Sequence, residues 1–159
     1  MPDDIYWRDS LAWSEQQASL LERLAKGERV NTQIDWENVV EEVLSVGRSQ
    51  MQSVESLLTR ALEHLMKIHG WPQSQSVNHW QAEALAFLLR AQRPCSPSMR
   101  PRIDLAGCYR DAWLPLARLR IDGSAPRAIP AACPFTVADL LPPDGSAPDI
   151  DALVAKLST

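Results

Sequence analysis

The chain has 159 residues, of which 45% are hydrophobic, with 12 prolines and a formal net charge of −4. A chain of this length buries roughly 68–70% of its unfolded surface, so one self-sufficient core is expected without disulfide or metal staples. Cys95, Cys108 and Cys133 are odd in number and lack CxxC spacing, which predicts a reducing compartment rather than a disulfide framework or a zinc knuckle.

The acidic opening MPDDIYWRD is unlike a signal peptide, and no apolar run reaches bilayer length, so a cytoplasmic location is expected. A first helix is predicted from Asp9 or Ser10 to Ala25, burying Ala12, Trp13, Leu20, Leu21 and Leu24, with Gly27 as its left-handed stop. After the loop GERVNTQI, Asp35 is placed to cap a second helix, and Glu37 complements the positive end of its dipole.

That second helix dominates the sequence. From Asp35 to Ile68 an apolar face recurs at helical spacing through Val39, Val43, Leu44, Gly47, Met51, Val54, Leu57, Leu58, Ala61, Leu62 and Leu65. Gly47 lies near the centre of the face, which predicts a close-crossing neighbour there, with a bend as the alternative. Gly70 and Pro72 end the run.

A third helix, capped by Ser74 or Ser76, is predicted to bury Val77, Trp80, Ala84, Leu88 and Ala91 and to stop before Pro94. Ser96-Pro97 signals a fourth start, with Ile103, Ala106, Tyr109, Trp113 and Leu116 inward. Pro115 removes one backbone hydrogen bond and predicts a kink or an early end. Thr136 can cap a short helix to Leu141, and a last helix is expected from about Asp149 to Leu157. The expected architecture is all-α: a bundle of about four main helices around the long second one, spanning residues 6–141, with a C-terminal arm over 142–159 that carries a short helix.

Charge is uneven along the chain. Residues 1–70 carry 7 Lys/Arg against 12 Asp/Glu, residues 71–128 carry 8 against 4, and the remainder 1 against 4. The middle excess consists wholly of arginines between Arg90 and Arg127, suited to an anionic surface such as nucleic acid, or to pairing with the acidic first half.

Several stretches carry a shared pattern of residues in order and spacing. They are Asp9, Ala12, Trp13, Gln17, Ala18, Leu20 and Leu21; Asp35, Glu37, Asn38, Glu41, Glu42, Gly47, Arg48 and Ser49 in DWENVVEEVLSVGRS; and His64, Leu65 and Lys67 in HLMK. Trp80, Ser96-Pro97 and Cys133, Pro134 and Thr136 in CPFT complete the match, over roughly residues 6–141. Together these stretches resemble the bacterial domain-of-unknown-function family numbered 29, and the resemblance implies an α-helical fold and no established activity. Ile68-His69 stands where the family usually has an aromatic, and Pro115 interrupts what is otherwise a continuous helix.

Glu41, Glu42, Arg48, His64, Lys67 and Trp80 form the candidate functional surface. Carboxylates and histidines on bundle helices can hold metals, but Glu42 and His64 are about 33 Å apart along one continuous helix, and no Glu-x-x-His occurs. No metal or cofactor is therefore expected. Glu42 is expected to pair with Arg48, His64 to bond at the core's margin, and Lys67 to extend to solvent. Cys133 lacks an activating partner and reads as a small buried anchor. Of the six tryptophans, Trp7 and Trp71 sit at element ends where an exposed ring would mark a partner surface, and the rest are expected in the core. The function this favours is a non-enzymatic cytoplasmic module that binds another protein or its own copy, without a membrane. The alternatives are a small ligand- or metal-binding helical protein or enzyme using Glu and His, and a nucleic-acid-contacting module through the arginines of residues 90–127.

Overall fold

The computed structural model describes residues 5–158, and its regular structure is helical. Helices α1 (Ile5–Arg8), α2 (Ser10–Ala25), α3 (Trp36–Gly70), α4 (Val77–Gln92), α5 (Leu105–Leu116), α6 (Val137–Leu140) and α7 (Ile150–Ala155) follow in order, with 3-10 turns at Asn31–Gln33, Arg100–Arg102 and Lys156–Ser158. The contacts gather into two compact units, residues 1–49 and 50–159.

In the first unit, Asp9 caps α2 by accepting a hydrogen bond from the Ala12 amide at 3.0 Å. Gly27, at φ +88°, turns the chain out of α2 in a region where a Cβ would be strained. Leu20, Val30 and Ile34 make the unit's small core, with Leu21, Leu24 and Val39 packed against it. Trp13 and Gln17 are also buried, whereas Ala12 is only half-buried.

The second unit holds the main core. Val54, Leu58, Ala61, Leu62, Leu65 and Met66 from α3 are sealed from solvent against Ala84, Leu88 and Ala91 of α4, Cys108, Tyr109, Ala112 and Leu116 of α5, and Leu140, Leu153 and Leu157 of the C-terminal segment. The connection after α5 is tied down at three places. The Arg127 amide donates to the Gly70 carbonyl at 3.1 Å, His69 bonds the Ala128 carbonyl at 2.8 Å, and the Tyr109 hydroxyl donates to Pro130 at 2.8 Å.

Three expectations change. The helix predicted from Ser96-Pro97 begins instead at Leu105, because Asp104 supplies the cap by accepting from the Gly107 amide at 3.0 Å, and Ser96 closes only a turn. Ala106, expected to face inward, is exposed, while Pro115 stands one residue from the last of α5 and gives the early end that was one of its two expected outcomes. Helix α3 runs through Gly47 without a break, but a Cβ there would meet nothing within 4 Å, so no neighbour crosses at that point.

Candidate functional site

The first unit is built on a polar buckle between α2 and the start of α3. Asp35 precedes α3, and its carboxylate accepts from the Asn38 side chain at 2.7 Å and from the Trp13 indole N–H at 3.0 Å. Its own amide donates to the side-chain oxygen of buried Gln17 at 2.8 Å. The Asn38 hydrogen bond, reinforced by Trp13, holds the Asp35 carboxyl below the usual carboxylate range. An acid stabilised in its ionised form and fully bonded is a structural latch, unsuited to donating a proton.

A second link lies one turn further along α3. The Tyr6 hydroxyl donates to Glu42 at 2.6 Å, and this bond pushes the phenol's pKa up. The Tyr6 ring meets Trp7 and Trp13 edge-on, each with centroids 4.8 Å away. Tyr6, Ser10, Leu11, Trp13, Ser14 and Glu42 line an open hollow of about 480 Å³.

The face of α3 beside these links is bare. Val40, Val43, Leu44 and Val46 are 54% to 69% exposed, Trp36 is 45% exposed, and Gly47 opens onto free space. Val43 and Leu44 belong to the stripe expected in the core, and Trp36 is among the tryptophans expected there, so all three are corrections: helical period predicts a stripe, but only a packed neighbour buries it. Trp7, 81% exposed, and Leu11 add to the apolar surface of the same unit.

The six candidate residues fall in both units. Glu41 pairs with Arg48, while Glu42 takes Tyr6 and Ser45 instead of the arginine expected. In the second unit His64 bonds the Arg60 carbonyl at 2.8 Å and lies on the Phe87 ring, with centroids 5.4 Å apart. Lys67 folds onto Glu63 at 3.0 Å rather than reaching solvent. Trp80 packs with Ile68 and Trp71, and Trp71, an element-end ring whose exposure would have marked a partner surface, is instead buried with its N–H donating to the Ser124 carbonyl at 2.9 Å. Several arginines of the second unit have local partners: Arg90 stands 5.8 Å from the Phe87 centroid, Arg100 donates to the Leu141 carbonyl, and Arg110 pairs with Asp111.

Among the described residues, no group of three or more His, Cys, Asp or Glu is arranged to hold a metal ion. Burial pushes all three thiols up, so Cys95, Cys108 and Cys133 remain protonated at neutral pH. No helix of the described residues is long and apolar enough to cross a membrane.

A family model described as "Domain of unknown function DUF29" matches residues 5–144. The chain belongs to the DUF29 family. A crystal structure of an alpha-helical protein of unknown function from Rhodospirillum rubrum shares the fold, with a TM-score of 0.67, 24% identity and 98% of each chain covered. No curated protein matches the chain. Of the DUF29 residues recognised in the sequence, Trp13, Gln17, Asp35 and Asn38 converge on the buckle, and Glu41 pairs with Arg48 along the edge of the bare face. Sequence reasoning missed the buckle as a unit because Trp13 and Asp35 are 22 residues apart and only the intervening turn brings them together. The available signal was Asp35 at a helix start with Asn38 three residues on.

Proposed function

We propose that this chain is a non-enzymatic protein-interaction module of the cytoplasm, and that its docking surface is the bare face of α3 in the first unit. The observation that carries the reading is the change along one stripe. Val40, Val43 and Leu44 are more than half exposed, whereas Val54, Leu58, Ala61 and Leu65 on the same face are fully buried. Solvating adjacent apolar side chains on a helix is unfavourable by about 25 cal/mol per Å², and contiguous patches of this kind mark contact surfaces. The buckle around Asp35 and the Tyr6–Glu42 bond fix the first turns of α3, so the face is presented on an ordered backbone. Three free cysteines suit a reducing compartment.

The test is a photoreactive benzoylphenylalanine placed at Val43 in the cells that make the protein, with Glu22 as an exposed control on α2. The expected result is a discrete crosslinked species from position 43 and none from position 22. Absence of any product from position 43 overturns the reading.

A further inference from the structure

The charges beside the bare face are arranged for a particular occupant. At 100° per residue, Trp36, Val40, Val43, Leu44 and Gly47 occupy a sector of about 100°. Glu37, Glu41 and Arg48 lie together along one edge of it, within about 40° of one another. The opposite edge carries Val39 and Glu42, which are engaged by the first unit's own core and by Tyr6. The free edge is thus acidic toward the helix N-terminus and basic about two to three turns later, a pattern complementary to itself when reversed.

We propose that a second copy of this chain covers the face, its α3 antiparallel to the first across a two-fold axis midway between Val43 and Leu44. This deepens the interaction-module reading and rests on it. In that register Val43 of each copy meets Leu44 of the other, and Val40 of each lies over Gly47, the position where a Cβ has open space around it. A two-fold perpendicular to the helices puts like edges on the same side. Arg48 of each copy then falls between Glu37 and Glu41 of the other, extending the Arg48–Glu41 pair already present within one chain. A parallel pair would instead set this edge against the opposite edge of the other copy, which carries Val39 and Glu42, and Arg48 would lose Glu37 and Glu41 of the other copy as partners. Opposed helix dipoles favour the same orientation.

The apolar segment from Trp36 to Gly47 is about 18 Å long, which limits the contact to the transient end of protein interfaces, below about 1,200 Å². Association is therefore concentration-dependent, with a dissociation constant on the order of 10 µM to 1 mM.

The experiment is sedimentation velocity on the purified full chain from 5 µM to 1 mM, with helicity checked by circular dichroism. The wild type shifts from monomer to dimer across that range. Leu44→Glu remains monomeric. Arg48→Glu weakens association about tenfold or more, and Glu37→Lys, Glu41→Lys and Arg48→Glu together restore it, a rescue that damage to the fold would not produce. A wild type monomeric throughout overturns the self-pairing, as does a charge-swapped triple variant no stronger than Arg48→Glu. A different protein crosslinked at position 43 with a monomeric wild type would retain the interaction module and reject the second copy. Failure of both experiments would reject both.

Discussion

Trp13 donates its indole N–H to the Asp35 carboxylate at 3.0 Å, joining the middle of the first turns of α2 to the residue that starts α3. One side chain thus serves as both helix cap and clasp, and the Asn38 hydrogen bond keeps it ionised.

Replacing Asp35 by Asn is expected to destabilise the first unit by about 1–2 kcal/mol at neutral pH, through the loss of charge-assisted bonds to Trp13 and Asn38. Because folding lowers the Asp35 pKa, its contribution is present above the unfolded value and lost as pH falls through the folded one. The gap between wild type and Asp35→Asn should therefore close below about pH 4. Urea unfolding at pH 7 and pH 3, followed by tryptophan fluorescence, measures it.

The two helix-interior glycines should respond to alanine with opposite signs. Gly47→Ala adds a methyl to open space in α3 and should stabilise dilute protein by about 0.5–1 kcal/mol. At Gly107 the new methyl would fall on the Asp104 carboxylate that caps α5, so the cap must move and stability should drop by about 1 kcal/mol or more. Thermal melts of the two variants give the comparison.

His69 is buried and bonds the Ala128 carbonyl at 2.8 Å, fastening the connection after α5. His69→Ala should cost about 2–3 kcal/mol by losing that bond and opening a void, and His69→Phe about 1 kcal/mol by losing the bond alone. Chemical denaturation midpoints at constant slope distinguish the two.

The raised thiol pKa values predict slow thiol–disulfide exchange in the native state. Cys108 is buried and its Sγ–H bonds the Glu55 carbonyl, so it should be the last to react with a disulfide reagent at pH 7.5 and should become reactive in urea. Mass spectrometry of modified peptides over time assigns the order.

The helix starts at Asp9, Asp35, Thr136 and Asp149 were legible because a short polar side chain before an apolar period has one strong local use. Ser96-Pro97 misled for the same reason, since that pair also suits a turn, and the capping carboxylate lay eight residues on at Asp104. Period likewise placed Val43 and Val54 on one face but could not show that only Val54 has a covering neighbour. Trp36, expected in the core, is exposed and Trp71, at an element end, is buried, because a ring's burial depends on which loop returns to it. For Trp71 that loop is the turn at Ser124, 53 residues away. The candidate surface was legible as a set of charges on α3, but their partners, Tyr6 for Glu42 and Glu63 for Lys67, are settled by tertiary packing and by rotamer.

The small core around Leu20, Val30 and Ile34 and the large one around Leu58 and Leu65 imply unequal local free energies of opening. Backbone amides from Val40 to Arg48 should then exchange their hydrogens through brief fraying of the helix start, while those from Leu58 to Met66 wait for global unfolding. One uninterrupted helix would so contain two kinetic regimes, its outer half yielding and re-forming many times within a single lifetime of the other.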